Sequence, residues 1–170
     1  MRFNKILPLF LLVACLGCFS VPVYDRSPAI EFADIQNFLR IDERSGGYKD
    51  SVVISVRFRD GDGDLGYDSW EIDSLKKKGV ASNFIVTQYR KNKGKYEVFT
   101  PVEPYDEFFH RLSGDKPGPI EGVIHYSGIQ VYHSFYPYPK DTVKFEISIR
   151  DRLGNLSNKV MTDSVVIRPI

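Results

Sequence analysis

Cysteine is confined to the start of the chain. The only two are Cys15 and Cys18. Everything downstream therefore lacks a disulfide, a thiolate metal site and a cysteine nucleophile, and must be held by its own core. Histidine is scarce too: His110, His125 and His133 are all there are. His125 and His133 share strand parity, but eight residues along a strand span roughly 26 Å, too far for one metal ion. They read as packed or exposed side chains. Neither sign of charge dominates, with 23 Lys and Arg against 22 Asp and Glu. That balance excludes the basic footprint nucleic-acid binding requires. Also missing are a glycine-rich phosphate loop, a serine-nucleophile motif and an apolar setting for a catalytic carboxylate pair. No enzymatic activity is expected from these residues.

Long apolar runs are absent as well. The run Ile6–Ala14 (ILPLFLLVA) has nine residues, less than half the roughly 20 that cross a bilayer as a helix. Behind Arg2 and Lys5 it suits the apolar region of an export signal. It leads into Leu12-Val13-Ala14-Cys15, which has the form of a lipobox; Cys18, preceded by Gly17, is the alternative lipidation site. Lipid chains on either cysteine would hold the domain at a membrane, at about 0.8 kcal/mol per buried CH₂. The expected organisation is a signal over residues 1–18, a tether over 19–27 and a single domain over 28–170, located in the cell envelope with the outer membrane favoured.

That domain is rich in strand signals. Ser51–Phe58 (SVVISVRF) and Thr142–Ile149 (TVKFEISI) alternate cleanly between two faces, the period of a half-buried strand. Further strands are expected over 28–33, 83–90, 96–100 and 159–167, and residues 120–133 read as one long strand or two broken near Gly128. One short helix is expected near 69–78. Asp68 with Glu71 resembles a capping box, Lys76–Lys78 followed by Gly79 suits a C-terminus, and Trp70, Ile72 and Leu75 would share a face. Seven or eight antiparallel strands with one helix predict an all-β, immunoglobulin-like sandwich.

The stretch Asp60–Gly66 (DGDGDLG) stands out. Asp at alternate positions can turn carboxylates inward while Gly lets the backbone curl. Hard cations such as Ca²⁺ take six to eight such oxygens. Asp60, Asp62, Asp64, Asp68 and Glu71 match positions 1, 3, 5, 9 and 12 of an EF-hand loop, but Leu65 replaces its glycine. A literal EF-hand is not expected. With strand B over 51–58 and strand F over 142–149, the sandwich would bring Asp151 and Asn155 beside the same loop. The candidate metal ligands are Asp60, Asp62, Asp64, Asp151 and Asn155, with Ca²⁺ in a structural role. Plain turn chemistry explains the same residues equally well. A second candidate surface is aromatic: Tyr126, Tyr132, Phe135, Tyr136 and Tyr138 could stack on a glycan or a protein partner, or pack over the sandwich edge.

The order of lipobox cysteine, tether, P-x-I-E-F, DGDGDLG and DTVKFEISIRDRLGNLSN resembles small lipoproteins of the Bacteroidota with a β-sandwich behind a lipidated cysteine. The segment from Tyr67 to Ala81 departs from their pattern. The resemblance implies a location and a fold but no reaction. The expected partners are a membrane, through the anchor, and a protein or glycan.

Overall fold

The structure is a computed structural model describing residues 22–114, 117–133 and 140–167. The expected export signal, Cys15, Cys18, Phe135, Tyr136 and Tyr138 lie outside the described residues. Among the described residues eight strands and one helix occur in the order β1 (Ala29–Ile41), β2 (Tyr48–Asp60), α1 (Ser69–Lys77), β3 (Phe84–Asn92), β4 (Lys95–Phe99), β5 (Ile120–Tyr132), β6 (Asp141–Ile149), β7 (Val160–Met161) and β8 (Val165–Ile167). One sheet has the order β1-β2-β5. The other runs β4-β3-β6-β7, with β8 also paired to β6. Every strand pair is antiparallel. This is the expected all-β sandwich, with β2 and β6 in the B and F places of an immunoglobulin-like arrangement.

The alternation in β2 and β6 builds the core. Val52, Ile54, Val56 and Phe58 of β2 meet Val143, Phe145, Ile147 and Ile149 of β6 in one buried cluster, joined by Phe84 from β3 and Ile167 from β8. Where strand signals were blurred, β-bulges explain why. In β5 the inward set is Ile124 and Tyr126, then Ile129 and Val131. The parity changes at the register shift opposite Val52 and Ile54. A bulge adds one residue and turns the rest of the strand to the other face, so β5 is one strand. Gly128 sits in that bulge because a Cβ there would come 2.1 Å from the Tyr126 hydroxyl. A second bulge, between Phe32 and Asp34, hides the continuation of β1, which runs eight residues past the expected end at Ala33. The expected closing strand is instead two short ones. Thr162 sits between them and ties to Phe145 through both its N–H (2.9 Å) and its side-chain oxygen, which accepts the Phe145 N–H at 2.9 Å.

The helix forms where its cap predicts. The Glu71 carboxylate accepts the Asp68 N–H at 2.9 Å, and Lys76 and Lys77 occupy the last turn. Its apolar face is narrower than expected: Ile72 is buried, but Trp70 is 72% exposed.

Candidate functional site

Strand β2 ends at Asp60, and the DGDGDLG loop starts there. Leu65 is fully buried and plugs the end of the core, which is why a leucine occupies the place an EF-hand gives to glycine. Gly63 (φ +73°) and Gly66 (φ +83°) make the reversals that leave Leu65 pointing inward. Chain from elsewhere then wraps the loop. Gly118 N–H bonds to Asp62 O at 3.1 Å, Leu112 N–H to Leu65 O at 3.1 Å, and the Ser113 hydroxyl to Gly63 O at 2.6 Å.

Inside this wrapping the three aspartates converge. Asp60, Asp62 and Asp64 each present a carboxylate oxygen, all within 4.8 Å of one another. Asp60 is fully buried. Its Oδ2 accepts the N–H groups of Gly63 (2.8 Å) and Asp64 (3.1 Å), which is the turn chemistry expected of such a loop. Turn chemistry uses only that oxygen. Asp60 Oδ1, Asp62 Oδ1 and Asp64 Oδ1 are enclosed without any hydrogen-bond partner, and they make up half of the six such side-chain atoms among the described residues. Buried polar atoms normally have partners. Three orphaned carboxylate oxygens on three residues whose carboxylates converge match the all-oxygen donor set of Ca²⁺.

The electrostatics show the strain of that arrangement. Burial, and then the Asp62 charge, push Asp60 up to about 6. Burial, and then Asp151 and Asp62, push Asp64 up to about 6 as well. A cation at the focus would remove the repulsion and replace lost hydration.

Asp151 and the position-12 carboxylate of Glu71 already have partners. The 151–155 loop does lie beside the aspartates: the Asp151 charge acts on Asp64, and Arg152 donates to Gly66 O at 3.3 Å. Asp151 is itself engaged by Asn155, whose backbone N–H and side-chain amide reach its two oxygens at 2.7 Å each. This pair closes its own turn and stands behind Asp64. Glu71 is taken by Arg152, whose guanidinium forks onto both carboxylate oxygens at 2.8 and 2.5 Å. That contact, with the Asp68 N–H, holds Glu71 down to about 2. The EF-hand count therefore ends at Asp64. Replacing Glu71 with Gln is expected to lower stability by about 1.5–3 kcal/mol, the range for a hydrogen bond to a charged group. Any Ca²⁺ affinity measured by calorimetry should stay unchanged, whereas a position-12 ligand would lose it.

The aromatic surface fares differently. Tyr126 is only 8% exposed, stacks on Phe84 with ring centroids 4.3 Å apart, and donates its hydroxyl to Tyr105 O. It is a core residue, because the bulge at Gly128 turns it inward. Tyr132 is half-buried with Lys49 over its ring at 5.4 Å. Among the described residues no histidine joins the Asp60, Asp62 and Asp64 group; His125 meets Ser55 at 2.8 Å and His133 meets Asp50 at 2.9 Å.

Sequence reasoning missed the wrapping by residues 109–114 and 117–118, the role of Arg152, and the contact of Tyr24 and Asp25 with the loop. The glycines of the loop were the available signal for close approach. A Cβ on Gly61, Gly63 or Gly66 would fall 2.2–2.5 Å from a backbone oxygen of Tyr24, Gly118 or His110. No protein-family model, curated protein or solved structure matches the chain.

Proposed function

We propose that this chain is a membrane-tethered, non-enzymatic β-sandwich with an interaction role at the cell envelope, one end of which is clamped by a structural Ca²⁺ held by Asp60, Asp62 and Asp64. The observation that carries the reading is that Asp60, Asp62 and Asp64, which bring one carboxylate oxygen each within 4.8 Å of the others, each also hold an enclosed Oδ1 without a hydrogen-bond partner. A structural role follows from the burial of Asp60 and the wrapping of the loop, which leave little room for a substrate. A shallow groove on the outer face of the first sheet is lined by Asp34, Ser55, Arg57 and His125 and includes none of the three aspartates. Anchoring rests on the lipobox. No helix among the described residues is long and apolar enough to cross a membrane. Intact-mass analysis of the membrane fraction tests the anchor: a diacylated N-terminal Cys15 or Cys18 is expected, and an unmodified N-terminus rejects it.

Thermal unfolding of the full chain in mild detergent tests the clamp. At 100 times its Kd, Ca²⁺ should add about 2.7 kcal/mol relative to EGTA, a rise of several degrees for a domain of this size. Asp62→Asn should lose that rise. In EGTA it should be at least as stable as the parent chain, because one repelling charge is gone. Equal midpoints in Ca²⁺ and EGTA for the parent chain reject the clamp.

A further inference from the structure

We infer that the cation loop is also the seat on which the N-terminal tether docks, so that cation binding governs where the chain leaves the sandwich. This rests on the Ca²⁺ reading of Asp60, Asp62 and Asp64. The Gly61 N–H donates to Asp25 O at 2.8 Å. The tether backbone lies so close that a Cβ on Gly61 would sit 2.5 Å from Tyr24 O and 2.6 Å from Asp25 O. Only glycine allows this contact. A second bond fixes the same segment, from the Tyr24 hydroxyl to Glu121 Oε2 at 2.7 Å. Pro28 is then buried at the entry to β1.

Gly61 lies between two of the three converging carboxylates. The direction of its N–H is set by the same backbone that aims Asp60 and Asp62 at each other. Without a cation, like charges within 4.8 Å favour opening of the loop, which turns the Gly61 N–H away from Asp25. With a cation bound, the backbone is held in the form that receives the tether. The two events are thermodynamically linked, so a docked tether must strengthen cation binding by the factor by which the cation strengthens docking. Release would free residues 22–28 and extend the reach of the domain from its anchor by roughly 20 Å, at about 3.3–3.6 Å per extended residue.

Hydrogen exchange of the full chain in detergent, with Ca²⁺ and with EGTA, tests the coupling, and calorimetry with Ca²⁺ reports binding separately. The Gly61 amide and peptides covering 22–28 should exchange at least tenfold more slowly in Ca²⁺. In Gly61→Ala they should exchange fast in both conditions, with Ca²⁺ affinity about tenfold weaker although every carboxylate remains. Tyr24→Phe, which keeps the loop intact, should shift both readouts in the same direction by less. Ca²⁺ binding with unchanged exchange over 22–28 overturns the coupling and leaves the clamp standing. No Ca²⁺ binding overturns both.

Discussion

Replacing Gly66 with alanine is expected to lower the thermal midpoint by roughly 10 °C or more, the largest effect of any single methyl group in the loop. Gly66 has φ +83°, a left-handed conformation that costs a residue with a Cβ about 1 kcal/mol. The added atom would also fall 2.2 Å from His110 O, 2.6 Å from His110 C and 2.8 Å from Arg111 Cα. These are backbone atoms, so no rotamer change relieves the clash. The strand-like segment at 109–112 would have to withdraw. With it go three hydrogen bonds: Tyr67 N–H to Phe109 O at 3.2 Å, Arg111 N–H to Tyr67 O at 3.1 Å and Leu112 N–H to Leu65 O at 3.1 Å. At about 1 kcal/mol each, partly recovered by relaxation, the total is about 3–5 kcal/mol. The unfolding entropy of a domain this size converts that to roughly 10–15 °C. Gly79→Ala is the matched control. Gly79 has φ +69° but nothing within 4 Å of its Cβ position, so only the conformational cost of about 1 kcal/mol remains. Equal midpoint losses for the two variants would show that the wrapping of the loop contributes nothing.

Acidification is expected to weaken Ca²⁺ binding about 100-fold between pH 7.5 and pH 5. Asp60 and Asp64 are both raised to about 6, chiefly by burial, and both must be ionised to hold a cation. Below pH 6 each proton competes with the metal, at up to tenfold per pH unit. The two carboxylates share Asp62 as a neighbour and titrate as a coupled set, so the experiment reads their joint effect. The cation-free domain responds with the opposite sign. Its folded-state values lie above the unfolded 3.8, so between about pH 4 and 6 the folded chain binds more protons than the unfolded one. Stability in EGTA therefore falls as pH rises through that window and levels off above it. From pH 5 to 7 the loss is about 2 kcal/mol, from the roughly 1.4 kcal/mol per pKa unit of linkage at each group, discounted for the partial exposure of Asp64. Glu71, held down to about 2 by Arg152, gives up its stabilisation only as pH falls from its unfolded value toward 2, below the measured range. Urea titrations at pH 5 and pH 7 in EGTA, then in saturating Ca²⁺, check both signs. A cation-free domain that gains stability over this interval would mean that the aspartates are not desolvated.

Some of this was legible residue by residue. The alternation of Val52, Ile54, Val56 and Phe58 against Val53, Ser55 and Arg57 reports the face on which each side chain falls, because the strand period is local. The Asp68–Glu71 cap is local for the same reason, and so is the alternation of Asp60, Asp62 and Asp64. Thus the strands, the helix and the presence of a carboxylate loop could be read from the chain alone. Pairing of distant charges could not. Glu71 meets Arg152 across 81 positions, which occupies the carboxylate at the position-12 place. Asp151 reaches the neighbourhood of Asp64, as the B and F places of β2 and β6 predicted, but that its oxygens accept from Asn155 was not legible. Tyr126 changes from a candidate surface residue to a core residue because one extra residue at Gly128 reverses the parity of β5. Bulges, wrapping loops and the choice among competing partners are settled by packing between segments far apart in sequence. Sequence by itself determined the elements and the chemistry available in the DGDGDLG loop; the tertiary structure decided which oxygens were left without partners and that the tether lies across Gly61.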